Sequence, residues 1–269
     1  MRIFLVLIAL LGCLFNKSHA QSPWYAEIGS QVYQSFSQTN NDFPMRMGYP
    51  VFKSTLPQVA GGLTWQSPKF DHHLRGEVAL STRLAADDGL GANSILQAGN
   101  SNVTAIWLQH QFFYMLLKAD PLYLDVGGSA GLDAQFRRLD YKSGVEEKTR
   151  DVNLAMGPDT RLRLHVSNRV ALQAEFASLF YLPYLNIGKL KKRDIDGSTI
   201  ESVTYHAFYY RTRLDVSICY QLRSSRSLCF GYRNDATVGF ANTEPAFYID
   251  TMVHYRMDCN HHLYLQFWF

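Results

Sequence analysis

Four groups of residues carry the side chains from which chemistry could be built. In His165-Val166-Ser167-Asn168 an imidazole and a hydroxyl stand two positions apart. On an extended chain His165 and Ser167 then share a face, the arrangement in which a histidine activates a serine for attack on an ester. The match is short, no orienting residue follows at a suitable spacing, and Asn168 reads as a turn former. Catalysis is therefore the weaker reading of these residues. His72-His73 and His261-His262 are adjacent pairs, so on strands their rings point to opposite faces and neither pair chelates one ion. Asp71 and His73 converge without a third or fourth ligand. No metal site and no cofactor are expected, and these histidines read as solvated strand ends. Cys219 and Cys229 flank Arg223–Arg226 symmetrically and are candidates for a disulfide, with two reduced side chains as the alternative; Cys259 falls in an expected tight turn. Lys189, Lys191, Lys192 and Arg193 cluster in an expected loop, where they suit phosphate groups at a membrane surface or simply solvate the loop.

A larger set of ionisable residues recurs at every second position. Arg75, Glu77, Arg83, Asp125, Asp133, Arg137, Asp159, Arg161, Arg163, Glu175, Arg211, Arg213, Asp215, Asp250 and Arg256 alternate with apolar neighbours. Folding the chain back about Ser167–Arg169 sets Arg161 opposite Glu175. Two readings stand: arginines lining an aqueous path, or mixed charges that cross-link a lumen and close it. The mixture of signs favours a partly filled lumen with a narrow path at best.

The elements that must position these side chains are strands. From Leu122 to Arg137 apolar and polar residues alternate without a break, longer than an ordinary soluble strand and unlike any helical spacing. The same period runs through 74–84, 152–166, 170–180 and 208–221, and less cleanly through Val103–Lys118, where His110 falls on the apolar face and Trp107 on the other. Short turns near 67–69, 119–121, 167–169 and 223–226 alternate with long connections around 37–56, 85–101, 138–150 and 184–202. That pattern predicts an all-β, antiparallel up-and-down transmembrane barrel. A simple count gives an odd number of strands. Turns at Asn234-Asp235, Asn242–Pro245 and Asp258–Asn260 restore parity and give twelve, with ten if two segments do not span. Phe112, Tyr114, Phe208, Tyr210 and Tyr220 fall near strand ends, as interfacial girdles do.

The chain starts with Met1-Arg2, an apolar run over Ile3–Phe15 and Ser18-His19-Ala20, which reads as a signal peptide over 1–20 ahead of a barrel over 21–269. Leu10–Cys13 is a lower-ranked lipidation site at Cys13. With 26 Lys+Arg against 23 Asp+Glu the charge is nearly balanced, which argues against a nucleic-acid partner.

Leu263, Leu265, Phe267 and Phe269 share one face of the last strand. This segment resembles the carboxy-terminal sorting signal of Gram-negative outer-membrane β-barrel proteins. The resemblance implies residence in the outer membrane, contact with its lipid and lipopolysaccharide, and recognition by the barrel-assembly machinery. Chain length and strand estimate also resemble autotransporter-type barrels without a passenger. The His165–Asn168 stretch is similar to the His-x-Ser-Asn core of outer-membrane phospholipases and lipid A deacylases. The leading expectation is a monomeric, non-enzymatic barrel, either a narrow channel or a structural surface protein.

Overall fold

The structure is a computed structural model that describes residues 23–39, 51–67, 69–81, 85–87, 101–182, 185, 187–223, 226–243 and 252–269. The expected signal peptide, Cys13, Arg83 and Asp250 lie outside the described residues.

Alternation of polar and apolar side chains leaves a strand with two incompatible faces, and closing the sheet on itself separates them. Twelve strand segments do this: β1 (Trp24–Thr39), β2 (Val51–Gln66), β3 (Asp71–Ser81), β4 (Ala85–Asp87), β5 (Asn102–Ala119), β6 (Leu122–Asp140), β7 (Glu146–His165), β8 (Val170–Tyr181), β9 (Ile187–Arg193), β10 (Thr199–Arg223), β11 (Arg226–Asn242) and β12 (Met252–Trp268). They make ten staves, because β4 continues β3 along β2, and β9 continues β8 between β7 and β10. All pairings are antiparallel, and β1 closes the wall by pairing both β2 and β12.

The wall is tilted as well as closed. Stepping across neighbours from Trp24 through Leu63, Leu74, His110, Ala130, Met156, Phe180, Tyr210, Val238 and Met257 arrives at Phe36. The register has advanced by about 12 residues in one circuit, the stagger that tilted strands require.

Of the two strand counts that the sequence allows, ten staves form and not twelve. β11 runs unbroken through Asn234-Asp235, and β12 runs unbroken through Asp258-Cys259-Asn260. Turn-forming residue types were outweighed there by full pairing on both sides: Asp235 faces Arg213 and Asn260, and Cys259 faces Ala236 and Gln34. Asn242 and Met252, paired at the ends of β11 and β12, accordingly lie at the end opposite the short turns. Cys259, His261 and His262 lie inside a strand rather than at a turn or strand end.

The short connections 120–121 and 166–169 share one end with Trp24 and Phe269, as do the strand ends Gln66, Asp71, Arg223 and Arg226. At the other end, two expected loops are strand instead. The 138–150 stretch is a hairpin between β6 and β7, and most of 184–202 is the β9–β10 hairpin. In the latter turn Asp196 accepts the Ser198 amide hydrogen at 2.8 Å, and the Ser198 hydroxyl and amide hold its carboxyl below the usual carboxylate range. At 25 residues, β10 far exceeds the ~10 needed to cross a bilayer, so its upper part stands clear of the apolar belt.

The outward face is oily. Ile28, Val59, Leu132, Met156, Phe176, Phe230, Leu263 and Leu265 are all exposed there. Aromatic rings collect at both rims of this belt. Phe70, Phe112 and Tyr114 form edge contacts at the turn end, where Trp24 also stacks on Phe269; at the other end Phe208 stacks on Phe240 and Phe180 meets Tyr210. Apolar groups facing outward and polar groups facing inward invert a soluble protein, and suit lipid outside the wall.

Candidate functional site: a charge-filled lumen

The inward positions that alternation assigns on each strand meet in the barrel interior, where most are buried. At the turn end Arg161 donates to Asp125 at 2.8 Å and Arg163 reaches the same carboxylate at 2.9 Å. Arg161 also lies over the Phe113 ring and 2.6 Å from the His73 imidazole, with Asp71 at 3.5 Å. Arg161 and Glu175 are register partners, as expected, yet they form no ion pair among the described contacts. Arg161 has a carboxylate opposite on each side and turns to Asp125, while Glu175 accepts from Gln111 at 2.6 Å.

Above this lies the central knot. Arg75 donates both terminal nitrogens to Glu27 at 2.7 and 2.6 Å and also reaches Glu77 at 3.1 Å. Arg233 joins Asp215 at 2.7 Å, Glu77 at 3.3 Å and Glu27 at 3.5 Å. Arg211 and Arg213 share Asp235, each at 3.0 Å, and Arg213 also donates to Gln109. His262 caps the layer, with Nδ1 at 2.6 Å from Gln58 Oε1 and Nε2 at 3.3 Å from Asp235. Trp107 lies flat under Arg211, with the guanidinium carbon 4.3 Å from the ring centre. Toward the far end Arg256 bridges Asp151 and Asp258, Arg137 meets Glu147 at 3.6 Å, and Tyr181 donates to Asp133 at 2.6 Å. Apolar side chains finish the filling: Tyr33, Leu56, Ala79, Val103 and Leu139 form a buried cluster inside the barrel.

The remaining space narrows along the axis. A mouth of about 760 Å³ at the turn end is lined by Trp24, His165, Ser167, Arg169, Gln221 and Trp268. It passes into a chamber of about 250 Å³ walled by His73, Arg75, Gln111, Glu175, Asp215 and Arg233. Beyond the central knot a pocket of about 40 Å³ remains, between Glu77, Trp107, Asp133, Arg211, Arg256 and His262. A pocket of that size holds only a few waters.

Of the expected lumen residues, the structure places Arg75, Glu77, Asp125, Asp133, Arg137, Asp159, Arg161, Arg163, Glu175, Arg211, Arg213, Asp215 and Arg256 in this interior. Glu27, Arg233, Asp235, Asp258 and His262 are equally central and were not anticipated. The signal for Arg233 and Asp235 was the period of two continuing through Cys229, Gly231, Arg233, Asp235 and Thr237, which reading Asn234-Asp235 as a turn interrupts. Glu27 follows from the same alternation in Tyr25, Glu27, Gln31 and Tyr33.

Cys219 and Cys229 are direct register partners on the inward face and are joined as a disulfide near the mouth. His165 and Ser167 lie at the rim of the same mouth, both exposed. The Ser167 hydroxyl oxygen accepts the amide hydrogens of Arg169 and Val170 at 3.3 and 3.1 Å, while His165 packs edge-on against Tyr123. The hydroxyl serves the turn. Leu263, Leu265 and Phe269 face outward, exposed, along β12 with Phe267 between them. Lys189 and Lys191 lie on strand β9 rather than in a loop, and Lys192 pairs with Glu201 at 3.4 Å. No group of metal-ligating side chains occurs among the described residues.

No protein-family model matches the chain, and no curated protein matches it. In fold it is similar to the outer membrane protease OmpT from Escherichia coli, with a TM-score of 0.61 at 9% identity over 93% of this chain and 98% of that one. A major outer membrane protein from Thermus thermophilus gives 0.44 at 10% identity, covering 93% of this chain and 100% of that chain, a level that carries no argument. The first likeness shows an outer-membrane β-barrel fold and nothing about activity.

Proposed function

We propose that the protein is an integral barrel of a Gram-negative outer membrane whose own side chains close its lumen, and that it serves as a non-enzymatic, monomeric surface protein rather than an open channel. The central knot carries this reading: Arg75, Arg233, Glu27, Glu77 and Asp215 contact one another across the bore. Opening a path there requires separating several buried ion pairs, and stranding one buried charge costs about 3–5 kcal/mol. In this orientation the short turns face the periplasm, and the β6–β7 and β9–β10 hairpins stand outside the cell.

Those hairpins also suggest what the barrel touches. On the outward wall just beyond Phe136, Arg150 directly opposes Lys189 and Lys148 directly opposes Lys191. Like charges face to face destabilise a sheet. Phosphate groups of lipopolysaccharide at the outer leaflet would offset this, with Glu146 offsetting part of it at Lys148. Delivery to the membrane is assigned to the barrel-assembly machinery acting on Leu263, Leu265, Phe267 and Phe269.

Purified protein inserted in liposomes should leave the rate of sugar uptake at the level of empty vesicles; uptake rising with the amount inserted would refute the closed lumen. Ser167→Ala should leave cellular phospholipid and lipid A profiles unchanged, and a changed profile would favour a lipid hydrolase.

A further inference from the structure

The oily outer wall carries a polar patch on its last two strands. On β11 and β12, Tyr232, Asn234, Cys259 and His261 project outward, alternating with the lumen residues Arg233, Asp235, Asp258 and His262. Most of their outward neighbours are apolar and exposed, Val32 and Leu214 across the adjoining strands and Met257 and Leu263 along β12, while Gln34, the register partner of Cys259 on β1, is polar. Polar groups facing hydrocarbon are costly, so a connected set of them here calls for a reason.

His261 lies against the other three. His261 Nε2 lies 3.5 Å from Cys259 Sγ, and its Nδ1 lies 2.6 Å from the Tyr232 hydroxyl and 3.1 Å from the Asn234 amide nitrogen. Asn234 Nδ2 donates to the sulfur at 3.7 Å. The register holds this arrangement in place: His261 faces Asn234 directly, and Cys259 and His261 are two apart on one strand face. Cys219 and Cys229 are bonded to each other on the opposite face, which leaves Cys259 as a free thiol.

We propose that Cys259 is a lipid-facing nucleophile that accepts an acyl chain from an ester lipid of the membrane. With the His261 proton on Nδ1 and given to the Tyr232 oxygen, the Asn234 amide gives its hydrogen to the sulfur and not to Nδ1, and Nε2 is an acceptor aimed at the thiol. Nε2 takes the thiol proton, and the Asn234 amide supports the thiolate. The sulfur attacks the acyl carbonyl carbon, and the bond from that carbon to the alcohol oxygen breaks with its electron pair. The imidazolium returns the proton to the leaving oxygen. The products are a thioester at Cys259 and a lyso-lipid, with no oxidant or further reactant. The site rests on the wall facing lipid and is independent of whether the lumen conducts.

The test uses the full chain refolded into vesicles of dioleoylphosphatidylglycerol, with and without a lipid A glycolipid, and insertion checked by heat-modifiable mobility. Intact mass should show one added acyl chain, released by neutral hydroxylamine, and the mass identifies which lipid class donated it. Cys259→Ala should gain nothing, and His261→Ala should acylate about 100-fold more slowly. Inserted wild type that keeps a free thiol in both vesicle types overturns the proposal, as does acylation persisting in Cys259→Ala. His261→Ala reacting at the wild-type rate overturns the role given to the imidazole. Failure of the wild type to insert overturns the lipid-facing wall itself, and the proposal with it.

Discussion

Glu27 sits fully buried between Arg75 and Arg233, and its replacement shows how the lumen charges act. Arg75→Met should leave Glu27 only its longer, 3.5 Å contact with Arg233 and lower unfolding stability by about 3 kcal/mol, read as the urea midpoint of protein refolded in detergent micelles. Adding Glu27→Leu should recover most of that loss, since two apolar side chains replace two charges without leaving either alone. A double variant as unstable as the single would mean that the pair contributes by packing rather than by charge. The bundled cations on the outer wall answer to a different measurement. Lys189→Ala with Lys191→Ala should reduce the lipopolysaccharide that remains with the protein through detergent extraction; an unchanged amount would remove the phosphate assignment.

Pairs of strands explain how large inward rings are accommodated. Tyr264 lies over Gly231, its register partner, and Tyr25 lies over Gly62, where a Cβ would come within 2.6 Å of the ring. Gly231→Val should therefore displace Tyr264 and break its 2.5 Å hydrogen bond to Asp215. The expected signs are lower stability and a loosened central knot, measured by hydrogen exchange on β11 and β12. Unchanged exchange there would contradict the packing account. The Cys219–Cys229 bridge closes only a short hairpin, so its chain-entropy contribution is at most about 3 kcal/mol. Mass mapping without reductant should find that bridge, with Cys259 outside any protein disulfide.

For the molecule as a whole, alternation made most of the wall legible in the sequence, because a period of two assigns each side chain to lipid or lumen regardless of strand order. It failed where a single-residue cue competed with the period. Asn234-Asp235 and Asp258–Asn260 have turn-forming types. Yet Asn234 and Asp235 contact His261 and Arg213 on the neighbouring strands, and Asp258 holds Arg256 along its own strand. These contacts need β10, β11 and β12 already extended and paired. The charge filling of the lumen was legible only as an even mixture of charge signs. Which arginine meets which carboxylate depends on the stagger of the ten staves, as Arg161 choosing Asp125 over Glu175 shows. The outward island at Cys259 was hidden for a related reason: a cysteine assigned to a turn has no face.

The most direct measurement of the closed barrel is planar-bilayer recording of heat-modifiable, inserted wild-type protein beside Arg75→Ala/Arg233→Ala. The wild type should show no steady conductance, while the double variant, with the central knot opened, should show discrete, salt-dependent steps. Steady single-channel steps in the wild type would contradict the account.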